Sequence, residues 1–242
     1  MPNERSLQRL RELIQNIVEA DTDNFSELAK IAGLNPVKDF AGANLSGVDL
    51  RGADLSGAIL LRTNLVNSDL RGADFSGANL RSAKLTSANL SNTNFLSAVL
   101  DDAEMIGANC YSANLIGASL VSANLLRVQL SNGVLIGANL RRANLVNINL
   151  SYANLSEANL SHASLRRADL SYAILVGANL LGADLSGADC RYANFSDTNL
   201  GSTKIENACF KENEGLSEQL QRDLQRRGAN CEGLVRRSFW NF

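Results

Sequence analysis

Residues 43–62 read ANLSGVDLRGADLSGAILLR, and this five-residue pattern continues to residue 212 without an insertion or a deletion. The central residue of each unit, at positions 45, 50, 55 and so on to 210, is apolar in all 34 units and leucine in 26 of them. The residue two positions earlier is alanine in 25 units, and the residue between the two is mostly Asn or Asp. The sequence therefore predicts one uninterrupted repeat with no loop between its units.

A period of five is incompatible with both standard secondary structures. An α-helix, at ~3.6 residues per turn, would spread the leucines around its whole surface, and a strand would turn alternate leucines outward. The other positions of each unit are rich in Asn, Asp, Ser and Gly, which favour turns. We therefore expect a turn in every unit, with the large and the small apolar side chain directed to one interior.

The units 43–47 (ANLSG), 53–57 (ADLSG) and 183–187 (ADLSG) resemble the A(D/N)LXX signature of the pentapeptide-repeat family, and the leucine-rich pattern is similar to its cyanobacterial members. The resemblance implies an all-β solenoid, a right-handed quadrilateral β-helix (Rfr fold). Four units form one coil in that fold, so the repeat would make about eight and a half coils. The interior is expected to contain Leu45, Leu65, Phe75, Phe95, Met105, Leu125, Leu145, Leu185 and Phe195.

The sequences on either side of the repeat predict α-helical caps at both ends of the solenoid. Residues 1–39 contain two amphipathic helical patterns, at 6–20 and 25–32, and residues 213–242 contain a third at 215–227. The β-helix itself is assigned to residues 40–212. Caps are needed because an open coil would expose backbone hydrogen-bonding groups and leucines.

The C-terminal tail leaves two further questions open. Its aromatic residues, including Trp240, allow a dimer through one cap as an alternative or an addition to simple capping. The register of the repeat directs Cys209 outward, 22 residues before Cys231, so that a disulfide between them is one option and free thiols are the other.

The composition points away from catalysis. The net charge is −2, His162 is the only histidine, and the four cysteines form no CxxC pair, so we expect no metal site and no cofactor. No catalytic residues are predicted, because neither a nucleophile nor an acid is fixed near His162 by the repeat. The absence of a signal peptide and of a long apolar run indicates a cytoplasmic protein.

Residues 20 apart are expected to stack in outward-facing columns. In two of these columns, apolar residues occupy a position that more often holds serine or arginine in the rest of the repeat. These columns are either a partner surface or a stabilising ladder of β-branched side chains. One contains Val66, Thr86, Ile106, Leu126 and Val146, and the other contains Leu96, Ile116, Ile136 and Val176. A third column predicts a ladder of aromatic rings from Tyr152, Tyr172 and Tyr192.

Charge is expected to change along one edge of the rod. Asp101, Asp102 and Glu104 come first on this edge. They are followed by Arg127, Arg141, Arg142, His162, Arg166 and Arg167. The basic cluster is compatible with a solvated face, with an acidic partner or with a phosphate backbone.

These observations favour a non-enzymatic scaffold that binds an unidentified protein, as a monomer or as a dimer through a terminal cap, without membrane or small-molecule substrate. The alternative is a DNA mimic that binds DNA gyrase or topoisomerase, which the resemblance to quinolone-resistance members of the family suggests. Residues 43–210 carry 13 acidic and 12 basic side chains, so their surface is close to neutral. This balance favours the scaffold over a mimic of polyanionic DNA.

Overall fold

The computed structural model describes Glu12, Gly33, Asn35 and residues 40–230, and residues 43–212 in it form a β-helical solenoid. Parallel bridges join residues 20 positions apart, from Asn44 with Asn64 to Asn194 with Glu214. One coil is thus four units of five residues. Each side of a coil pairs with the next coil through a single bridge residue, so the described residues contain no longer strands.

Each unit ends in a tight turn at a corner of the coil. The amide of Ala53, for example, donates to the carbonyl oxygen of Leu50 at 3.1 Å, and Gly52 between them has a φ of 63°. Glycine adopts this left-handed conformation at little cost because it has no Cβ. At 23 described positions a non-glycine residue adopts a positive φ, and nearly all are corners of this kind. The stacked coils therefore impose a conformation that these side chains disfavour locally.

The Asn and Asp residues before the central leucine support the turns and tie the coils together. The side-chain oxygen of Asn64 accepts from the amide of Val66 at 3.2 Å, and its amide nitrogen donates to Asn44 in the preceding coil at 2.9 Å. The same two contacts recur at Asn114 and Asn144. This dual use explains why a short side chain with an oxygen acceptor dominates the position.

The central and small residues of the units form one continuous apolar core. Leu65, Phe75, Phe95, Met105, Leu125, Leu145, Leu185 and Phe195 are buried, as is nearly every alanine of the small position. Leu45, in the first coil, is only partly buried against this core. Phe75 and Phe95 stack in adjacent coils with ring centroids 5.3 Å apart, so larger rings also fit the leucine column.

Hydroxyl groups replace the alanine at several interior positions. The Oγ1 atom of Thr93 donates to the carbonyl oxygen of Leu70 at 3.1 Å, and that of Thr203 donates to Leu180 at 2.9 Å. Each bond joins two neighbouring coils inside the core. A threonine is tolerated there because its hydroxyl finds a partner 23 residues earlier in the chain.

The repeat gives way to a short helix at its C-terminal end. Helix α1 spans Glu218–Arg226, inside the predicted range 215–227, and Ser217 caps it by accepting from the amide of Leu220. Leu216 and Leu224 are buried in the same cluster as the interior leucines. Gly215 allows the chain to leave the coil, because a Cβ there would lie 2.2 Å from the backbone nitrogen of Ser196.

Cys209 keeps the register of the other bridge residues, since it pairs with Asp189, but it is fully buried rather than exposed. After α1 the chain returns along the last coil, where Asn207 donates to the carbonyl of Gly228 and Asn230 donates to that of Ala208. Cys209 is disulfide-bonded. Cys231, named above as one option for its partner, lies outside the described residues, and so does the tail with Trp240. The predicted helices at 6–20 and 25–32 also lie outside them, apart from Glu12.

Candidate interaction surfaces

The corners divide the outer surface of the solenoid into four faces. We name two of them, which lie on opposite sides because they are two units apart in a coil of four. The tyrosine face comprises residues 52–57 and the equivalent six residues of each later coil, up to 212–217. The arginine face comprises residues 42–47 and its equivalents, up to 202–207.

Three stacked rings mark one corner of the tyrosine face. The ring centroids of Tyr152 and Tyr172 are 4.8 Å apart, and those of Tyr172 and Tyr192 are 4.6 Å apart, with interplanar angles of 1° and 10°. These distances match the spacing of hydrogen-bonded strands. Loss of solvent and the two neighbouring tyrosines raise the pKa of the Tyr172 hydroxyl. The predicted aromatic ladder is therefore present, and all three rings remain exposed.

The exposed apolar side chains concentrate on the same face. Among the described residues, eight large hydrophobic side chains are exposed, and five of them belong to the tyrosine face. These five are Leu96, Tyr152, Tyr172, Ile174 and Tyr192. The predicted column through Ile116 and Ile136 also lies here, although both of these side chains are half-buried.

The second predicted apolar column lies on the arginine face. Ile106, Leu126 and Val146 are half-buried, so they are less accessible than the prediction of an exposed stripe requires. Arg127, Arg142, Arg166 and Arg167 surround the end of this column, and Arg141 stands beside Arg142 at the adjoining corner. All five arginines are exposed.

Two groups of arginines in the described part of the repeat differ in whether they are paired. On the face between the two named ones, Arg51, Arg71 and Arg191 each pair with an aspartate two residues earlier, at 2.5 to 2.6 Å. In the units that hold Arg127, Arg141, Arg142, Arg166 and Arg167, Asn or Ser stands before the central leucine, where the other group has its aspartate. None of these five arginines forms an ion pair with another described residue. Their guanidinium groups are thus available to a ligand.

The described residues contain no group of side chains suited to a metal ion. His162 is exposed at a corner, where its ring lies against Gly182. Burial raises the pKa of the Cys110 thiol to about 12 and raises that of Cys190 further, so neither is a nucleophile at neutral pH. None of the described helices is long and apolar enough to cross a membrane.

Eight copies of the sequence model for pentapeptide repeats match the chain, and together they cover residues 39–212. The chain therefore belongs to the pentapeptide repeat family, which confirms the resemblance drawn from its units. It is similar in structure to HetL, a pentapeptide repeat protein involved in heterocyst differentiation regulation from the cyanobacterium Nostoc sp. strain PCC 7120. The two share 31% identity over 80% of this chain and 95% of HetL, with a TM-score of 0.51.

Two other solved structures are similar over parts of the chain. Rfr23 from the cyanobacterium Cyanothece 51142 is 28% identical over 46% of this chain and 90% of its own, with a TM-score of 0.45. QnrB1, a plasmid-mediated fluoroquinolone resistance protein, is 22% identical over 79% of this chain and 95% of its own, with a TM-score of 0.46. No curated protein sequence matches the chain.

Sequence reasoning identified the columns but missed part of the tyrosine face. Ile174 was not singled out, although it replaces the usual Asn of its unit and is 41% exposed. The signal was present in the 20-residue period, which places Ile174 between the column of Tyr172 and that of Val176.

Proposed function

We propose that the protein is a non-enzymatic scaffold that binds a partner protein on its tyrosine face. The observation that carries this proposal is that five of the eight exposed large hydrophobic side chains among the described residues lie on one of the four faces. Exposed apolar patches of this kind mark interaction sites, and tyrosine is enriched in them. The stacked coils hold these side chains rigidly, which lowers the entropy lost on binding.

The backbone at the tyrosine corner supports the same proposal. Tyr152, Tyr172 and Tyr192 have φ values of 59°, 59° and 61°, where glycine is favoured. The equivalent corner residues of the first coils are Gly52 and Gly72. Large rings at a position that disfavours them are better explained by a contact with a partner than by the stability of the coil.

The alternative, a DNA mimic that binds gyrase, needs a continuous acidic surface. The tyrosine face has no Lys or Arg from residue 52 to residue 217 and carries six carboxylates, at Asp54, Asp74, Glu157, Asp197, Glu212 and Glu214. Asp74 and Glu157 are four coils apart, however, which is roughly 19 Å. DNA carries one charge per ~1.7 Å of its axis. The charge pattern therefore favours the scaffold.

We infer a right-handed quadrilateral helix of about eight and a half coils, in keeping with the handedness and spacing of parallel crossovers and solenoids. Residues 1–39 and 213–242 are proposed as its caps. The burial of Leu216 and Leu224 against the last coil supports this role for the C-terminal segment.

The test compares two exposed aliphatic residues in a quantitative pull-down from the source cell. Ile174 on the tyrosine face and Leu181 on a neighbouring face are each 41% exposed. We expect Ile174→Asp and Ile116→Asp to lose a partner that the wild-type protein and Leu181→Asp retain. Direct binding of that partner, once purified, should weaken at least tenfold in Ile174→Asp. Equal recovery with Ile174→Asp and with wild type would refute the tyrosine face as the interface.

A further inference from the structure

The arginine face carries a compact basic cluster on the side of the rod opposite the tyrosine face. Arg127 and Arg167 share one corner column, Arg142 stands at the other corner, and Arg166 adjoins Arg167. They occupy three consecutive coils, which at the usual strand spacing span roughly 10 Å along the rod. With Arg141 at the adjoining corner, five cationic side chains therefore point outward from one small area.

This cluster is not explained by structural ion pairing. None of its five guanidinium groups forms an ion pair with another described residue, whereas Arg51, Arg71 and Arg191 pair with aspartates of their own units. Unpaired like charges at close range repel one another and destabilise the folded state. A bound group of negative charge would remove that repulsion.

The backbone gives a second reason to assign the cluster to binding. Arg127, Arg142 and Arg167 have φ values of 59°, 60° and 56°, where a glycine or an asparagine would be more stable. Glycine does stand at Gly182 and Gly187, in the next coil. The coil geometry thus accepts glycine at these corners, and arginine is present in spite of its conformational cost.

The surroundings of the cluster provide both an apolar floor and a depression. Leu126 and Val146 are half-buried on the arginine face, next to the corner of Arg127. A depression of about 280 Å³ begins at Arg166 and Arg167 and is lined beyond them by Ser186, Gly187, Glu206 and Asn207. The site therefore combines guanidinium donors with apolar contact area, which suits a peptide that has both carboxylates and aliphatic side chains.

Acidic residues limit the length of the basic area. Asp102 and Glu104 lie on the same face one coil before Arg127, and Asp184 and Glu206 lie on it after Arg167. A nucleic acid strand that continued along the rod would meet these carboxylates, and one that crossed the rod would find no wider basic surface. A short acidic segment of a protein fits the roughly 10 Å interval.

From this arrangement we propose that the arginine face binds an acidic, leucine-containing segment of a partner protein. The carboxylates of that segment bind to Arg127, Arg142, Arg166 and Arg167. Its leucines contact Leu126 and Val146. Arg141 contributes charge from the adjoining corner. This site is separate from the tyrosine face, so the failure of one proposal leaves the other standing.

The test measures binding of the full-length protein to defined probes by fluorescence anisotropy. The main probe is a short labelled peptide rich in Glu and Asp with two leucines, and a second peptide has serines in place of the leucines. Single-stranded RNA and duplex DNA of matched charge represent the other class of ligand. We expect the leucine-containing peptide to bind most tightly, with an affinity that falls as salt is raised.

The variants separate this site from general electrostatic attraction. Arg142→Gly with Arg167→Gly removes two charges at corners where glycine is favoured, so folding should persist while peptide affinity falls at least tenfold. Leu126→Ser should reduce the preference for the leucine-containing peptide. A control that removes three paired arginines, R51Q with R71Q and R191Q, should leave affinity within about twofold.

Two results would overturn the proposal. One is equal peptide binding by wild-type protein and the Arg142→Gly, Arg167→Gly variant, with circular dichroism showing both to be folded. The other is tighter binding of RNA or DNA than of the acidic peptide at the same salt concentration, which would assign the cluster to a phosphate backbone instead.

Discussion

Leu180 and Leu181 are neighbours in sequence, yet Leu180 is fully buried in the core and Leu181 is 41% exposed on the outer surface. The contrast holds along the rod: the interior columns repeat one composition from coil to coil, whereas the exterior columns differ from face to face. Within each unit, the two inward positions therefore specify the fold. The other three positions vary within the limits of the turns, and any specific function must lie in them or in the ends.

The largest effect that tests this contrast is expected from truncating the two leucines separately. Leu180→Ala should lower the free energy of unfolding by about 2–5 kcal/mol, because it leaves a cavity in a close-packed column. Leu181→Ala should change it by less than about 0.5 kcal/mol. Chemical denaturation followed by circular dichroism gives both values. Similar losses in the two variants would contradict the division into inward and outward positions.

The interior and exterior should also differ in chemical reactivity. Burial raises the pKa of Cys110 to about 12 and that of Cys190 further, so both thiols stay protonated and shielded in the folded coil. We expect neither to react with iodoacetamide at pH 8 until the protein is unfolded, as mass spectrometry of the peptides would show. Rapid labelling of Cys110 in native conditions would mean that the coil opens locally.

The same two thiols predict how stability depends on alkaline pH. Their pKa values are higher in the folded than in the unfolded protein, so the unfolded state loses its protons first as the pH rises. The stabilisation is complete below the ordinary thiol pKa near 9 and is lost as the pH rises towards about 12. Replacing both cysteines with alanine should reduce this alkaline dependence, which thermal unfolding between pH 8 and pH 11 would measure.

The interior of this protein was predictable from sequence because one rule, a large apolar residue every fifth position, governs it. That rule identified the core residues from Leu65 to Phe195, and the four-unit coil implied by the family resemblance placed Tyr152 and Tyr172 in a common column. Outward positions obey no such rule, so Ile174 was missed and the exposure of Ile106, Leu126 and Val146 was overestimated. The burial of Cys209 was not predicted, because the segment at 228–230 returns along the last coil and no local sequence pattern indicates that contact.

A smaller difference is expected between two threonines. Thr93 is buried in the interior and donates to the carbonyl of Leu70, whereas Thr86 is half-buried in an exterior column. Thr93→Val should lower the free energy of unfolding by about 1 kcal/mol, the usual net value of one hydrogen bond. Thr86→Val should be nearly neutral. If Thr93→Val is neutral as well, hydroxyl bonds between coils do not stabilise the core.

The smallest effect concerns an exterior ion pair and has the opposite pH dependence to the thiols. The side-chain hydrogen bond from Arg51, followed by the backbone amide of Arg51, lowers the pKa of Asp49 from 3.8 to about 2. Because the folded pKa is the lower one, this stabilisation is present above pH 3.8 and is lost as the pH falls towards 2. In R51Q the pKa of Asp49 should move back towards 3.8 in a carboxyl NMR titration, with little change in stability at neutral pH because the pair is solvent-exposed. An unchanged pKa in R51Q would show that the turn amide alone holds the carboxylate. The low pKa of this exposed carboxylate would then result from the backbone of the repeat. The position before the central leucine would have to be counted with the two inward positions that specify the fold.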